Sequence, residues 1–319
     1  MRYDYYAELA AQGARPTDGR FPEELVAGFV DECAVWSTRG GDAKNEARQH
    51  YIQRIKEYMG VKEHMRVKER TLNLPAELHL ETDFEKCTLP SHWLALEVKF
   101  ELFTPWYSKD DRVFHVLDNP VRKDRVFGVP FMAAASWKGM LRWACRMQAG
   151  LREHLEKERG VGKWSDPPWI LHLFGNEKGE TEHKRFHEGA LVFYPTWFDQ
   201  IGFEVINPHS RVRRAGTQPI YYEVVPPGAK GALKLLYAPL PGASKRDGVN
   251  PLEAVEKLLE AIEQLLTTYG ISAKRTVGWG TAKIEEWRVY RKDDQPIHKT
   301  NRSDLWAEIQ RWLAKEARP

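Results

Sequence analysis

Three segments of the 319-residue chain set cations beside serine, glycine or aromatic residues, a combination suited to gripping a phosphate backbone. In the first, Lys138, Arg142 and Arg146 recur every four positions, so a helix would align them on one face. Ser136 stands where that helix would open, and unpaired N–H groups at a helix start attract anions. The second is Lys274-Arg275-Thr276-Val277-Gly278-Trp279-Gly280, where Gly278 and Gly280 let a backbone approach closely and Trp279 can stack on a base or plug the core. The third is Asn207-Pro208-His209-Ser210-Arg211-Val212-Arg213-Arg214, a basic loop whose arginines suit bidentate phosphate contact and base stacking. The plainer alternatives are a solvated helix face, a tight connection and incidental loop charge.

Carboxylates and histidines offer a second chemistry. Asp118 lies in Val116-Leu117-Asp118-Asn119-Pro120-Val121, with Asp110, Asp111 and Asp124 nearby, and Asp-Asn-Pro also favours a plain turn. His172, His183, His187 and His209 raise acid–base RNase chemistry, and His183 with His187 has the spacing of a metal pair on a helix. The stretch from Glu177 to Glu188 is so polar that an exposed loop is the better reading. No HExxH, Walker or cysteine-based metal motif occurs, so no resident metal or cofactor is expected.

Composition sets the frame for these sites. A net charge of +3 is too small to argue for nucleic acid by itself, so clustering must carry the argument. Cys33, Cys87 and Cys145 are few, odd in number and widely spaced, which points to a reducing compartment. No run reaches the roughly 20 apolar residues a membrane helix needs. The Met1-Arg2-Tyr3-Asp4 start lacks a signal-peptide core, so the expected location is the cytoplasm.

The elements that must position these groups follow from periodicity. Leu25, Val26, Phe29, Val30 and Val35 suggest a helix after Pro22. A second is expected over Ala43 to Met59, with Tyr51, Ile52, Ile55 and Tyr58 on one side and Lys44, Arg48, Arg54 and Lys56 on the other. The basic character continues from Lys62 to Arg70. From Trp93 the period changes to two: Leu94, Leu96, Val98, Phe100 and Leu102 alternate with polar or small residues, as in a half-buried strand. A helix follows from Ser136 to Ala149, then strands over Ala190–Tyr194 and Ala232–Tyr237. The next helix has Asn250 as cap, Glu253 completing a capping box and Gly270 at a left-handed C-cap. A last strand spans Ala282 to Tyr290, with a bulge expected near Glu285-Glu286, before a helix carrying Leu305, Trp306, Ile309, Trp312 and Leu313. The fold class is therefore α+β: a ferredoxin-like or RRM-like βαββαβ core with insertions and a mainly helical N-terminal extension. The expected divisions are 1–92 as extension, 93–290 as core domain and 291–319 as a helical tail.

Several motifs in this order resemble the RAMP superfamily, whose members build type III CRISPR effector complexes. Ser136-Trp137-Lys138-Gly139-Met140-Leu141-Arg142 is similar to the second half of its helix-opening motif, with Ala133-Ala134-Ala135 where the family has Pro-Gly-Ser. Leu173-Phe174-Gly175 resembles the next short motif, and Pro219 to Gly228 the approach to the third strand. Tyr269 to Gly280 is similar to the glycine-rich loop. The resemblance covers about residues 93 to 290 and implies an RNA-binding core. It implies a structural subunit that binds guide RNA in antiviral defence, partnered by complementary target RNA and other effector subunits. It also implies an alternative: the Asp118 loop resembles that of the target-cleaving subunits, making Asp118 the catalytic residue of an endoribonuclease, with Mg2+ needed in that case. A lone guide-processing RNase working through histidine is a third reading.

Overall fold

The computed structural model describes residues 33–39, 41–60, 82–110, 115–124, 129–158, 160, 164–176, 187–198, 200–208, 220–243, 248–292 and 295–316. Helix α1 spans Ala43–Gly60 and strand β1 Leu94–Leu102. Then come β2 (Phe131–Met132), α2 (Ala134–Gln148), α3 (Leu151–Glu158) and α4 (Pro168–Phe174). Strands β3 (Leu191–Phe193), β4 (Thr196–Trp197), β5 (Gly202–Ile206), β6 (Ile220–Val224) and β7 (Lys230–Tyr237) follow. Helix α5 (Pro251–Gln264), strands β8 (Ala282–Tyr290) and β9 (Ile297–Lys299) and helix α6 (Arg302–Glu316) complete the order. The helix expected around Leu25 to Val30 and the basic run Lys62 to Arg70 lie outside the described residues.

The main sheet is antiparallel, in the order β3-β7-β1-β8-β9. Its first four strands, with α2 after β1 and α5 after β7, reproduce the βαββαβ arrangement. The helices pack on one face through Trp137 and Leu141 of α2 and Leu258 and Ile262 of α5, against Val98 and Phe100 of β1. The β1–β8 register shifts after Lys99, leaving Glu285 as the extra residue at the expected bulge. The expected helical tail begins with β9, which widens the sheet.

Three local expectations are corrected. The alternation of β1 predicts that Ala95 and Glu97 face water, yet both are buried. Phe84 and Leu89, just before the strand, cover Ala95, Leu236 and Tyr290. Glu97 accepts a hydrogen bond from Tyr290 Oη at 3.1 Å and pairs with Lys234 at 3.4 Å, directly across the register. Glu253 closes no capping box: Asn250 Oδ1 accepts from Leu252 N at 3.0 Å, while Glu253 bonds Lys257 Nζ at 2.6 Å. Gly270 is not a left-handed cap either, because Leu265–Tyr269 widens into a π turn and Gly270 takes φ 78° and ψ 154°.

Two further elements matter for the site. Strands β5 and β6 form a separate two-stranded ribbon. On one face, Phe203 and Glu223 meet Tyr51 of α1. On the other, Tyr222 meets Tyr107 and Trp279. Among the described residues, no helix is long and apolar enough to cross a membrane.

Candidate nucleic-acid interface

The glycine-rich loop between α5 and β8 is stapled to the chain leaving β1. Ile271 N donates to Gly280 O at 2.9 Å, closing the loop on itself. Ala273 N donates to Tyr107 O at 2.8 Å, Ser272 Oγ accepts from Tyr107 N at 3.0 Å, and Trp106 Nε1 donates to Ile271 O at 2.9 Å. A side chain at Gly270 would put its Cβ 2.7 Å from Trp279 O, so glycine is required there. Gly278, exposed at φ 82°, turns the loop outward in the left-handed region.

This loop places two cations on aromatic rings. The Arg275 guanidinium carbon lies 4.4 Å from the Trp143 ring centroid, and Lys274 Nζ lies 5.1 Å from that of Tyr222. Trp143 belongs to α2, so the second basic segment reaches the helix of the first. Burial pulls the Arg275 pKa down, and its Nη1 is buried without a hydrogen-bond partner among the described residues. Trp279 is half-buried and meets Tyr222 edge-on at 5.7 Å. Gly280 is buried.

The basic face expected on α2 is revised. The helix opens at Ala134, with Ala133 as its cap, and Ser136 N already donates to Ala133 O at 2.9 Å. Lys138 is exposed, as expected. Arg142 and Arg146 instead converge on Asp166: Arg142 Nη2 lies 2.6 Å from Oδ2 and Arg146 Nε 2.6 Å from Oδ1, with Trp164 Nε1 donating to Oδ1 at 2.9 Å. Burial alone would raise the Asp166 pKa; the Arg146, Trp164 and Arg142 hydrogen bonds outweigh it and lower it. Two of the three cations therefore serve a buried carboxylate. His209, Arg211, Arg213 and Arg214 lie outside the described residues.

Asp118 sits on the loop after β1 with its side chain 64% exposed. Arg48 Nη2 of α1 donates to its Oδ2 at 2.7 Å, and Lys44 Nζ lies 3.5 Å from Oδ1. The neighbouring Asn119 accepts from Glu223 N at 3.0 Å through its carbonyl, so the loop runs alongside the ribbon. Of the alternative carboxylates, Asp110 is buried, Asp124 N bonds Val129 O, and Asp111 lies outside the described residues.

The family model described as RAMP superfamily matches residues 99–283. The chain belongs to the RAMP superfamily. The match takes in the second half of β1, α2, the ribbon, α5 and the glycine-rich loop, and leaves α1 outside. No curated protein matches the sequence. One similar solved structure is a chain of "Cryo-EM structure of the Type III-B Cmr-beta bound to cognate target RNA", at 15% identity and TM-score 0.41 over 62% of this chain and 61% of that one. Another is from "Crystal structure of Csm3-Csm4 subcomplex in the type III-A CRISPR-Cas interference complex", at 17% identity and TM-score 0.40 over 69% of this chain and 95% of that one. The RAMP chain thus spans about three fifths of the first of these.

Of the four histidines singled out in the sequence, His172 and His187 are described. His172 is buried and its Nε2 lies 2.9 Å from Tyr237 Oη, a core contact. His187 is half-buried, and His183 lies outside the described residues. Among the described residues, no group of three or more His, Cys, Asp or Glu side chains is placed to hold a metal ion.

Sequence reasoning missed Glu223, the pivot beneath the Asp118 loop. It is fully buried, pairs with Lys123, and accepts from Tyr51 Oη at 2.6 Å and Val121 N at 3.1 Å. Burial favours its neutral form, but Lys123, His115 and the Tyr51 bond hold its pKa below the ordinary value. The one available signal was a lone acid in the run Tyr221-Tyr222-Glu223-Val224-Val225.

Proposed function

We propose that this RAMP protein binds guide RNA as a structural subunit of a type III CRISPR ribonucleoprotein in antiviral defence. Its partners are complementary target RNA and the other effector subunits. The family supports the assembly, and the glycine-rich loop supports the ligand.

The observation that carries the reading is Arg275. Its guanidinium rests on Trp143, half removed from water, with Nη1 buried and without a hydrogen-bond partner among the described residues. A cation in that state gains from an anion delivered to it, and planar guanidinium matches phosphate. Lys274, also lying on a ring, and the exposed Lys138 add charge without adding base contacts. Such a surface positions a backbone and reads little sequence. The test is to isolate the protein with its bound nucleic acid and to titrate single-stranded RNA across a salt series. Guide-length RNA should copurify, with affinity falling steeply in salt and varying little with sequence. Absence of both sinks the reading.

A further inference from the structure

A cavity of about 410 Å³ opens between α1 and the β5–β6 ribbon, lined by Asn45, Arg48, Gln49, Ile52, Gln53 and Tyr221. It lies apart from the glycine-rich loop, on the other face of the ribbon. We propose that this cleft holds one unpaired nucleobase of a bound RNA strand, a proposal that rests on the RNA-binding reading above.

The lining argues for a neutral heterocycle. Asn45, Gln49 and Gln53 repeat every four positions, so their carboxamides share a helix face with Arg48 and Ile52. Each carboxamide offers both donor and acceptor, as a base edge requires. Tyr221 faces them across the cleft and keeps 38% of its surface exposed, leaving an aromatic face on which a base can stack. Val205, its register partner, is 51% exposed and extends the apolar ledge. The volume falls within the range of small-ligand pockets, about 300–1,000 Å³. Among the described residues, the walls carry no carboxylate to recommend a cation, a single arginine for an anion, and too many amides for an apolar segment.

The cleft is also held in place. Ala47 and Tyr51 on the adjoining face of α1 are buried against Val116 and Leu117, and Asn119 Nδ2 donates to Tyr221 O at 3.3 Å. Arg48 lines the cleft with its Nη2 donating to Asp118 Oδ2 at 2.7 Å, which fixes that wall of the cleft.

The test is titration of the full chain with AMP, GMP, CMP and UMP, with ribose 5-phosphate as the control lacking a base. At least one nucleotide should bind and ribose 5-phosphate should not. Tyr221→Ala should weaken nucleotide binding about tenfold or more while Tyr221→Phe retains it, since stacking needs the ring and not the hydroxyl. Gln49→Ala, at an exposed helical position that alanine suits, should weaken it without loss of fold. Equal binding of ribose 5-phosphate assigns the cleft to phosphate and overturns the proposal, as does nucleotide binding indifferent to Tyr221→Ala. Single-stranded RNA binding without any nucleotide binding overturns the cleft alone. Tyr221-dependent nucleotide binding without RNA binding overturns the RNA reading instead.

Discussion

Lys123 Nζ bonds Glu223 Oε2 where neither side chain meets water, at 3% and 0% exposure. The pair ties the loop after β1 to strand β6, and Tyr51 adds α1 to the same carboxylate. Removing one charge strands the other in the interior, which costs about 3–5 kcal/mol. Glu223→Gln should lower unfolding stability by about that amount. Urea denaturation of the variant checks it, and a loss under about 1 kcal/mol would mean the pair is not desolvated as described.

Glu223 and Asp166, two of the carboxyls whose pKa is held low, contribute to an acid limit. Both have folded-state pKa values below their ordinary 4.5 and 3.8. A depressed carboxyl contributes stability that is complete above its unfolded pKa and lost as pH falls through its folded pKa. The melting temperature should therefore hold near neutrality and drop as pH falls below 4.5. In Glu223→Gln one such group is gone, so the acid drop should be shallower. A parallel drop in wild type and variant would assign acid sensitivity to other groups.

Arg142 and Lys138 share a helix face but should fail differently. Arg142→Ala leaves the buried Asp166 with a lost partner and should destabilise the protein by roughly 2–4 kcal/mol. Lys138→Ala, at an exposed position, should change stability by less than about 0.5 kcal/mol. Thermal melts of the two single variants separate these effects. Equal stability of the two would place Arg142 outside the buried network.

The βαββαβ order was legible because each element announces itself locally. Alternation marks β1, the Asn250 cap and apolar stripe mark α5, and the slip between Ile284 and Trp287 betrays the bulge. Charge pairing was not legible in the same way. Four-residue spacing reports that Arg142 and Arg146 share a face, but says nothing of Asp166, which arrives on a separate segment. Period-two logic sends Glu97 to solvent, since it cannot register Phe84 and Leu89 folding over that face. The partners of Asp118 come from α1, outside the stretch that the family model matches. Local pattern fixes a face, whereas long-range docking decides what that face meets.

The loop cations should act through phosphate and not through stability. For single strands, each phosphate neutralised contributes a slope of about 0.7 in log affinity against log salt. Arg275→Ala should reduce both RNA affinity and that slope by about one phosphate contact, and Lys274→Ala likewise. Filter binding at several salt concentrations reads both quantities. Weaker affinity at an unchanged slope would mean that Arg275 supports the loop through Trp143 and does not touch phosphate.

Asp118 separates a scaffold from a nuclease. Its carboxylate is 64% exposed, and the two cations beside it belong to α1, at 2.7 Å for Arg48 and 3.5 Å for Lys44. Exposed pairs of this kind are worth about 0–1 kcal/mol, so Asp118→Ala should fold as wild type does. The substitution removes a negative charge near an expected phosphate path and releases Arg48 and Lys44, so RNA affinity should stay level or rise. Cleavage is the discriminating measurement. A carboxylate serving a divalent ion must present its oxygens to that ion, whereas here both oxygens face positive side chains that repel it. In a reconstituted complex with Mg2+ and complementary target RNA, wild type and Asp118→Ala should therefore give the same cut pattern, as a structural subunit would. Loss of one cut at unchanged RNA affinity would instead make Asp118 catalytic, with Arg48 and Lys44 as side chains that yield when the metal enters.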